Sequence, residues 1–343
     1  MQKTVLFASA VALVGCSDRN FNKPELLFEP RILAMQSEPP QPIHGTSSTL
    51  RALVYFPDSG AGATYKWSWC PLPVDSKDRC PIGQAEFDQI YNTLGLGTAP
   101  SLDLGNGETA SFTNPFSAQL LLALCNGDVS ITLGTSSATA SGIDGGSKSI
   151  FTCDRAADNN DPIYFPITVA LVVTPSGLAE LPAIFTLHLP IDETLPGNAN
   201  PTIDGIRVSD ADEWLDEAAS VAIARQQRTN LDVRLLQSSS EPLARPRTSD
   251  KANRALLTRE KLNVWWFTEA GDFGHDGLGG YTTGYLPNSD PTVDAQSFSD
   301  AKSNVWTLPK RDDYARTTSR IVVVVNDGRD GVAWTSAAAT LKD

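Results

Sequence analysis

The chain has 343 residues, 41% hydrophobic and 20% charged, with 40 acidic against 27 basic side chains and a formal net charge of −13 at pH 7. That length gives room for about two domains of ordinary size. An acidic surface repels phosphates, which argues against nucleic acid as a partner, and 25 glycines with 23 prolines favour turns and short strands over long helices.

Met1-Gln2-Lys3 carries one positive charge and precedes an uncharged, largely apolar run from Thr4 to Val14, followed by Gly15 and Cys16. A charged start, a short apolar core and a small residue at its end are the parts of a secretory signal. The core is too short for a membrane-spanning helix, which needs about 20 residues. Leu13-Val14-Gly15-Cys16 resembles the signal box of bacterial lipoproteins. The resemblance implies removal of residues 1–15, lipidation of Cys16 (palmitate among its acyl chains) and a mature N-terminus at that cysteine. Ser17 after it implies sorting to the outer membrane, facing the periplasm or the cell surface. Each buried acyl methylene contributes ~0.8 kcal/mol, so two or more chains hold a protein on a membrane. Residues 16–29 read as a tether.

The first domain is expected over 30–192. Arg31–Met35, Thr49–Phe56 and Thr64–Cys70 read as strands, the last with Tyr65, Trp67 and Trp69 on one face of a period-2 pattern. An insertion over about 73–160 follows. Within it Gln84–Leu96 places Phe87, Ile90, Tyr91 and Leu94 at helical spacing, and Pro115–Cys125 reads as a second helix. Tyr164–Val173 and Leu181–Leu189 form a closing hairpin around Thr174-Pro-Ser-Gly177.

Pro190–Pro201 holds three prolines, a glycine and two asparagines, which places a domain boundary there. A second domain is expected over 200–343. Its strands are Ile203–Val208, Asn230–Leu236, Lys261–Phe267 and Arg320–Val325, the last turning through Asn326–Gly331 into Val332–Thr335. That turn is expected to use Gly328 and Gly331 at positive φ. Asp210–Gln227, acidic at its start and basic at its end, reads as a short helix. The halves are expected to share a plan, with an aromatic strand third and a valine-rich hairpin last.

The fold class implied is mainly β, two immunoglobulin-like β-sandwiches, the first carrying a partly helical, disulfide-stapled insertion. Asn200–Ile206, Val264–Phe273 and Ile321–Trp334 resemble the immunoglobulin-like and PKD-like modules of bacterial surface lipoproteins. Asp272-Phe-Gly-His-Asp-Gly277 departs from the usual PKD pattern, so the resemblance extends to the sandwich and not to that family. Arg31–Ala34 with Glu38-Pro-Pro40 and Trp67–Leu72 resembles uncharacterised myxobacterial-type surface lipoproteins. These resemblances imply architecture and location, and bring no catalytic residue with them.

Lipidation of Cys16 leaves four cysteines, and an even number in an exported chain reads as disulfides. Three pairings are possible. Cys70–Cys80 with Cys125–Cys153 is expected, because each bond closes a local loop; a zinc site usually needs a C-x-x-C pair, which is absent. No Gly-x-Ser-x-Gly or His-Glu-x-x-His sequence occurs, and none of the three histidines marks a catalytic centre. Catalytic residues are therefore expected to be none. Asp212, Glu213, Asp216 and Glu217 would form a solvated face of the expected helix.

Asp158 and Asp161, and Asp272 with Asp276, offer loop oxygens that calcium could use, although turn chemistry explains the same residues. No other cofactor is implied. Trp67, Trp69, Trp265, Trp266 and Trp306 are candidates for a sugar-binding face, with core or interdomain packing as the other reading; Trp265 and Trp266, adjacent in one strand, must point to opposite sides. The function expected is that of a lipid-anchored, non-enzymatic envelope protein that binds an envelope protein or polysaccharide, or serves in assembly, through its sandwich loops. The alternative is a carbohydrate-active enzyme with acidic residues in an interdomain cleft, or a carbohydrate- or calcium-binding module.

Overall fold

The computed structural model describes residues 23–57, 62–74, 79–129, 153–156, 161–194, 197–209, 213–215, 221–239, 241, 260, 262–274, 280–284 and 303–343. The first half contains β1 (Arg31–Glu38), β2 (Ser47–Tyr55), β3 (Ala63–Cys70), α1 (Gln84–Thr93), β4 (Asp103–Gly105), β5 (Thr109–Thr113), α2 (Ala118–Asn126), β6 (Asp154–Arg155), β7 (Pro162–Pro175) and β8 (Leu181–Pro190). The second contains β9 (Ile203–Val208), β10 (Glu213–Leu215), β11 (Ala222–Ala224), β12 (Arg228–Leu235), β13 (Leu262–Thr268), β14 (Asp272–Phe273), β15 (Tyr281–Gly284), β16 (Ser303–Thr307), β17 (Thr318–Asn326) and β18 (Val332–Lys342).

Among the described residues the strands form four sheets. In the first half β1-β2-β5 faces β4-β3-β7-β6, with β8 also paired to β7. In the second, β10-β9-β12-β16-β14 faces β11-β18-β17-β13-β15. Each pair of sheets encloses its own core: Leu50, Trp67, Trp69, Phe112, Val169 and Leu187 meet in the first, and Ile206, Leu231, Val264, Trp266, Trp306 and Val323 in the second. The fold is mainly β, built as two β-sandwiches.

Period-2 patterning explains the strands. In β7 Ile167, Val169, Leu171 and Val173 are buried and the residues between them half-buried. The two helices also follow their sequence. In α1 Phe87 and Tyr91 are buried, and the Glu86 side chain accepts a hydrogen bond from the Gly83 N–H. In α2 Ser117 caps the first turn by accepting from the Leu120 N–H, and Gly127 at φ 75° ends the helix in the left-handed region. The stretch between these helices is more than an insertion, because β4 pairs with β3 and β5 with β2.

Two sequence expectations are corrected. The helix over Asp210–Gln227 is not formed in its described parts: β10 pairs antiparallel with β9, and β11 runs parallel to β18. Leu215, Val221 and Ile223 are buried in the second core, so burial against the sheets outweighs the charge gradient that suggested a helix. The shared plan also fails, because the aromatic strand β13 is preceded in its half by β9, β10, β11 and β12.

The tether reading changes at its far end. Leu26 forms a parallel bridge with Thr268, the Leu27 N–H donates to the Thr268 carbonyl at 2.8 Å, and the Thr268 N–H donates to the Glu25 carbonyl at 2.9 Å. Residues 25–27 thus run beside β13 of the second sandwich before the chain enters the first. Lys23 pairs with Asp272 at 2.5 Å.

The sandwiches pack against one another through the outer faces of β1–β2 and β13–β17. Leu27, Leu33, Leu53, Tyr55, Phe267 and Val322 form a third apolar cluster there. The Tyr55 hydroxyl donates to Glu269 at 2.9 Å, Arg320 lies over the Tyr55 ring, and Arg51 lies over Trp334. This layer explains why β17 reads as an unbroken valine run: Ile321, Val323 and Val325 enter the second core, while Val322 is covered by the first half.

Candidate functional site

Cys16, Asp158 and Asp276 lie outside the described residues. Asp161 gives its carbonyl to the Ala156 N–H at 2.8 Å, and Asp272 is half-exposed in its pair with Lys23. No group of three or more His, Cys, Asp or Glu side chains among the described residues is arranged to hold a metal ion.

The tryptophans divide as β geometry requires. Trp265 is half-buried and lies 5.3 Å from the Tyr281 ring. Trp266 is fully buried, packs on Phe273 and donates its indole N–H to Thr282 Oγ1 at 3.2 Å. Trp266 is therefore a core residue and not part of a binding face: its neighbours in the strand order put it on the inner side of the sheet. Trp67 and Trp306 are fully buried too, and donate to the Gly107 and Ala270 carbonyls.

Cys70 is bonded to Cys80 and Cys125 to Cys153. The first bond ties the end of β3 to the approach to α1, and the second ties the end of α2 to the approach to β6. Between the helices and the sheet lies an apolar pocket with about 380 Å³ of empty space, its open mouth included, lined by Leu72, Phe87, Tyr91, Phe116, Leu124 and Phe165 among others.

A dense polar constellation sits where the β17–β18 turn meets the first half. Asp327 organises this turn. Its Oδ1 accepts from the N–H groups of Arg329 (2.7 Å) and Gly331 (3.0 Å), and its Oδ2 from Asn198 Nδ2 (2.9 Å). Gly328 takes φ 78°, as expected, but the second positive φ belongs to Asp330 and not to Gly331. Gly331 is needed for a different reason: a Cβ there would collide with the Asp327 carboxylate.

Each neighbouring segment then reaches this turn. Asn198 Nδ2 also donates to the Arg329 carbonyl at 2.7 Å, and Asn200 Oδ1 accepts from the Val332 N–H at 2.8 Å. Asn200 Nδ2 donates to the Ser37 carbonyl at 2.8 Å and to Glu38 at 2.5 Å. From the first half, Gln36 donates to the Val332 carbonyl and Gln41 to the Arg329 carbonyl. His188 of β8 places Nδ1 2.7 Å from Asp330 and Nε2 3.5 Å from Asp154 of β6. Arg329 pairs with Glu260 at 2.7 Å.

Burial governs the acids here. Desolvation pushes the Glu260 carboxyl up to about 8; Asp327 adds to that and Arg329 opposes it. Desolvation likewise lifts Asp327 to about 6, against the hydrogen bonds it accepts. Sequence reasoning gave the turn to hairpin formation alone and drew no site from the three histidines, His188 among them. Asn198 and Asn200, next to a valine hairpin ending Asn-Asp-Gly-Arg-Asp-Gly, carried a signal only in hindsight of the packing.

The class defined by fold and site is a mainly β protein of two sandwiches joined through a polar junction and an apolar layer. No protein-family model matches the chain, and no curated protein does. Among solved structures it is similar to the N-terminal Ig1-2 module of the Drosophila receptor protein tyrosine phosphatase DLAR, at 9% identity over 92% of this chain and 100% of that one, with a TM-score of 0.23. It is also similar to the tandem V-type regions of the chitin-binding protein VCBP3 (11% identity, 91% and 100% covered, TM-score 0.25) and to the D00-D0 domain of intimin (8%, 90% and 100%, TM-score 0.21). No helix among the described residues is long and apolar enough to cross a membrane.

Proposed function

We propose that this chain is a lipid-anchored protein of the bacterial outer membrane, non-enzymatic, that binds an envelope protein or polysaccharide or serves in an envelope assembly. The observation that carries the reading is the disulfide-stapled β framework, since two disulfides suit an oxidising compartment outside the cytoplasm. The Leu13-Val14-Gly15-Cys16 box supplies the anchor. From Cys16 to Lys23 the free chain reaches at most about 25 Å, and residues 25–27 are already laid along β13. The anchor would therefore hold the Thr268 end of β13 within that reach of the membrane.

The acids that gather between the halves do not favour catalysis. Glu260 and Asp327 are almost wholly buried, with Arg329 and Asn198 against them.

Two measurements test the proposal. Mass spectrometry of the N-terminal peptide should find acyl chains on Cys16, and Cys16→Ser should move the protein from the membrane to the soluble fraction. An unmodified Cys16 overturns the anchor. Crosslinking in intact cells should then join the sandwich loops to one recurrent envelope component; crosslinks confined to the chain itself would overturn the binding or assembly role.

A further inference from the structure

Among the described residues β8 pairs with β7 alone, in an unshifted register that runs from Val173↔Leu181 to Tyr164↔Pro190. The other edge strands described are two to five residues long, apart from β1. That strand carries Arg31, Glu38 and a register shift between Ile32 and Ala34. Short length, charge and irregularity are the usual means of keeping an edge from pairing with another chain. β8 lacks all three: it has ten residues, an even register, and no charged side chain from Leu181 to Leu187.

Strand alternation fixes which backbone groups of β8 point outward. The Trp69 N–H donates to the Leu102 carbonyl beside β4, so the neighbouring Ser68 and Cys70 turn to β7. Their partners Ala170 and Thr168 turn to β3, which leaves Ile167, Val169 and Leu171 turned to β8. The Ile191 N–H donates to the Ile163 carbonyl in the same parity. Opposite these residues, Ala183, Phe185 and Leu187 bond to β7, while Pro182, Ile184, Thr186 and Pro190 face the open edge. The two prolines thus stand where a missing N–H costs the sheet nothing. Between them the backbone groups of Ile184 and Thr186 have no partner among the described residues. Pro182, Ile184 and Thr186 are exposed on the outer face, and Phe185 is only half-buried on the inner one.

We infer that this edge docks a second copy of the chain, with the two β8 strands antiparallel about a two-fold axis at Phe185. The Ile184 N–H then donates to the Thr186 carbonyl of the copy, the Thr186 N–H to its Ile184 carbonyl, and the copy returns both bonds. Each open donor thereby meets an open acceptor, inside the window that the prolines leave. Phe185 lies opposite its own equivalent, with Cα atoms about 4.5 Å apart, the closer of the two antiparallel spacings. Its half-exposed ring is covered by a second aromatic ring, and Ile184 meets Thr186 as a β-branched pair on the outer face. Charge favours a copy at this place in particular. Two chains of net charge −13 repel wherever their acids face, but a neutral strand brings no like charges together.

The full chain carrying Cys16→Ser, which has neither an acyl chain nor a thiol at that position, serves for the tests. Residue-resolved amide exchange is measured at rising protein concentration, up to about 1 mM. Protection at Ile184 and Thr186 should increase at least about tenfold, while Phe185 and Leu187, already bonded to β7, keep theirs. Light scattering should show the mass moving from monomer to dimer over the same range. Ile184→Lys sets a charge on the edge and should weaken association at least about tenfold. Phe185→Cys should give a disulfide-linked dimer on mild oxidation, whereas Ala183→Cys, which would face Leu187 of the copy, should not. A monomer at every concentration overturns the pairing. So does a dimer that Ile184→Lys leaves as strong, because the copies then meet elsewhere. Should Phe185→Cys not fold, exchange in the parent chain decides: protection gained at Ile184 and Thr186 supports the pairing, and none overturns it.

Discussion

At Trp69 one side chain joins most of the first core. Its ring meets Phe87, Phe112 and Phe116 in edge-on contacts at 5.5, 5.2 and 6.0 Å, and its N–H donates to the Ser101 carbonyl at 2.8 Å. It thus binds β3 to α1, to β5 and to the lead into α2. Trp69→Ala should cost about 3–5 kcal/mol, read as a lower urea midpoint; a loss under about 1 kcal/mol would contradict this role. Gly331 is the counterpart in the second half, where close approach of the Asp327 carboxylate leaves no room for a Cβ. Gly331→Ala should destabilise by about 1–3 kcal/mol, whereas Gly328→Ala would suffer from backbone conformation instead, at φ 78°. The period-2 placement of Tyr65, Trp67 and Trp69 was legible in the sequence, because alternation is a local property. That Gly331 is held by contact and not by φ was not, since the Asp327 side chain folds back over it only in the finished turn.

Among the elements, the helices and long strands were readable and the short edges were not. In α1 and α2 the apolar spacing, Ser117 and Gly127 all agree on one structure. β10 and β11 have three residues each and exist through β9 and β18, so their sequence lacks the length to declare them. The N-terminal segment shows the same dependence. Leu27 and Glu25 are buried against the second sandwich although their neighbours read as a polar tether. Leu27→Asp should detach this segment, seen as new protease cleavage before Arg31 together with a stability loss of about 2–4 kcal/mol; unchanged cleavage would show that the bridge to Thr268 does not depend on it. The Cys125–Cys153 bond ties α2 to the sheet at β6. Its reduction should cost about 2–4 kcal/mol, measured by comparing denaturant midpoints with and without reductant.

For the whole molecule the decisive feature is the layer between the sandwiches. Val322 is buried there, outside the second core. Val322→Asp should leave each sandwich folded but separate them, so that scattering gives a larger radius of gyration while the near-ultraviolet signal of Trp266 and Trp306 persists. An unchanged radius would mean the layer does not hold the halves. The junction at Asp327 and Arg329 then adds specificity of alignment to this apolar contact, as buried polar groups with fixed partners can.

By itself the sequence determined the class of fold, helices α1 and α2, and the pairs of cysteines close enough in the chain to bond, because alternation and spacing act over a few residues. Only the tertiary structure decided that the valines of β17 are covered on both faces, that residues 25–27 belong to the second sandwich, and that His188 faces Asp330. Those contacts join residues up to 296 positions apart, as Gln36 and Val332 are. No local pattern records such a meeting, because its energy arises only when two finished surfaces exclude water from between them.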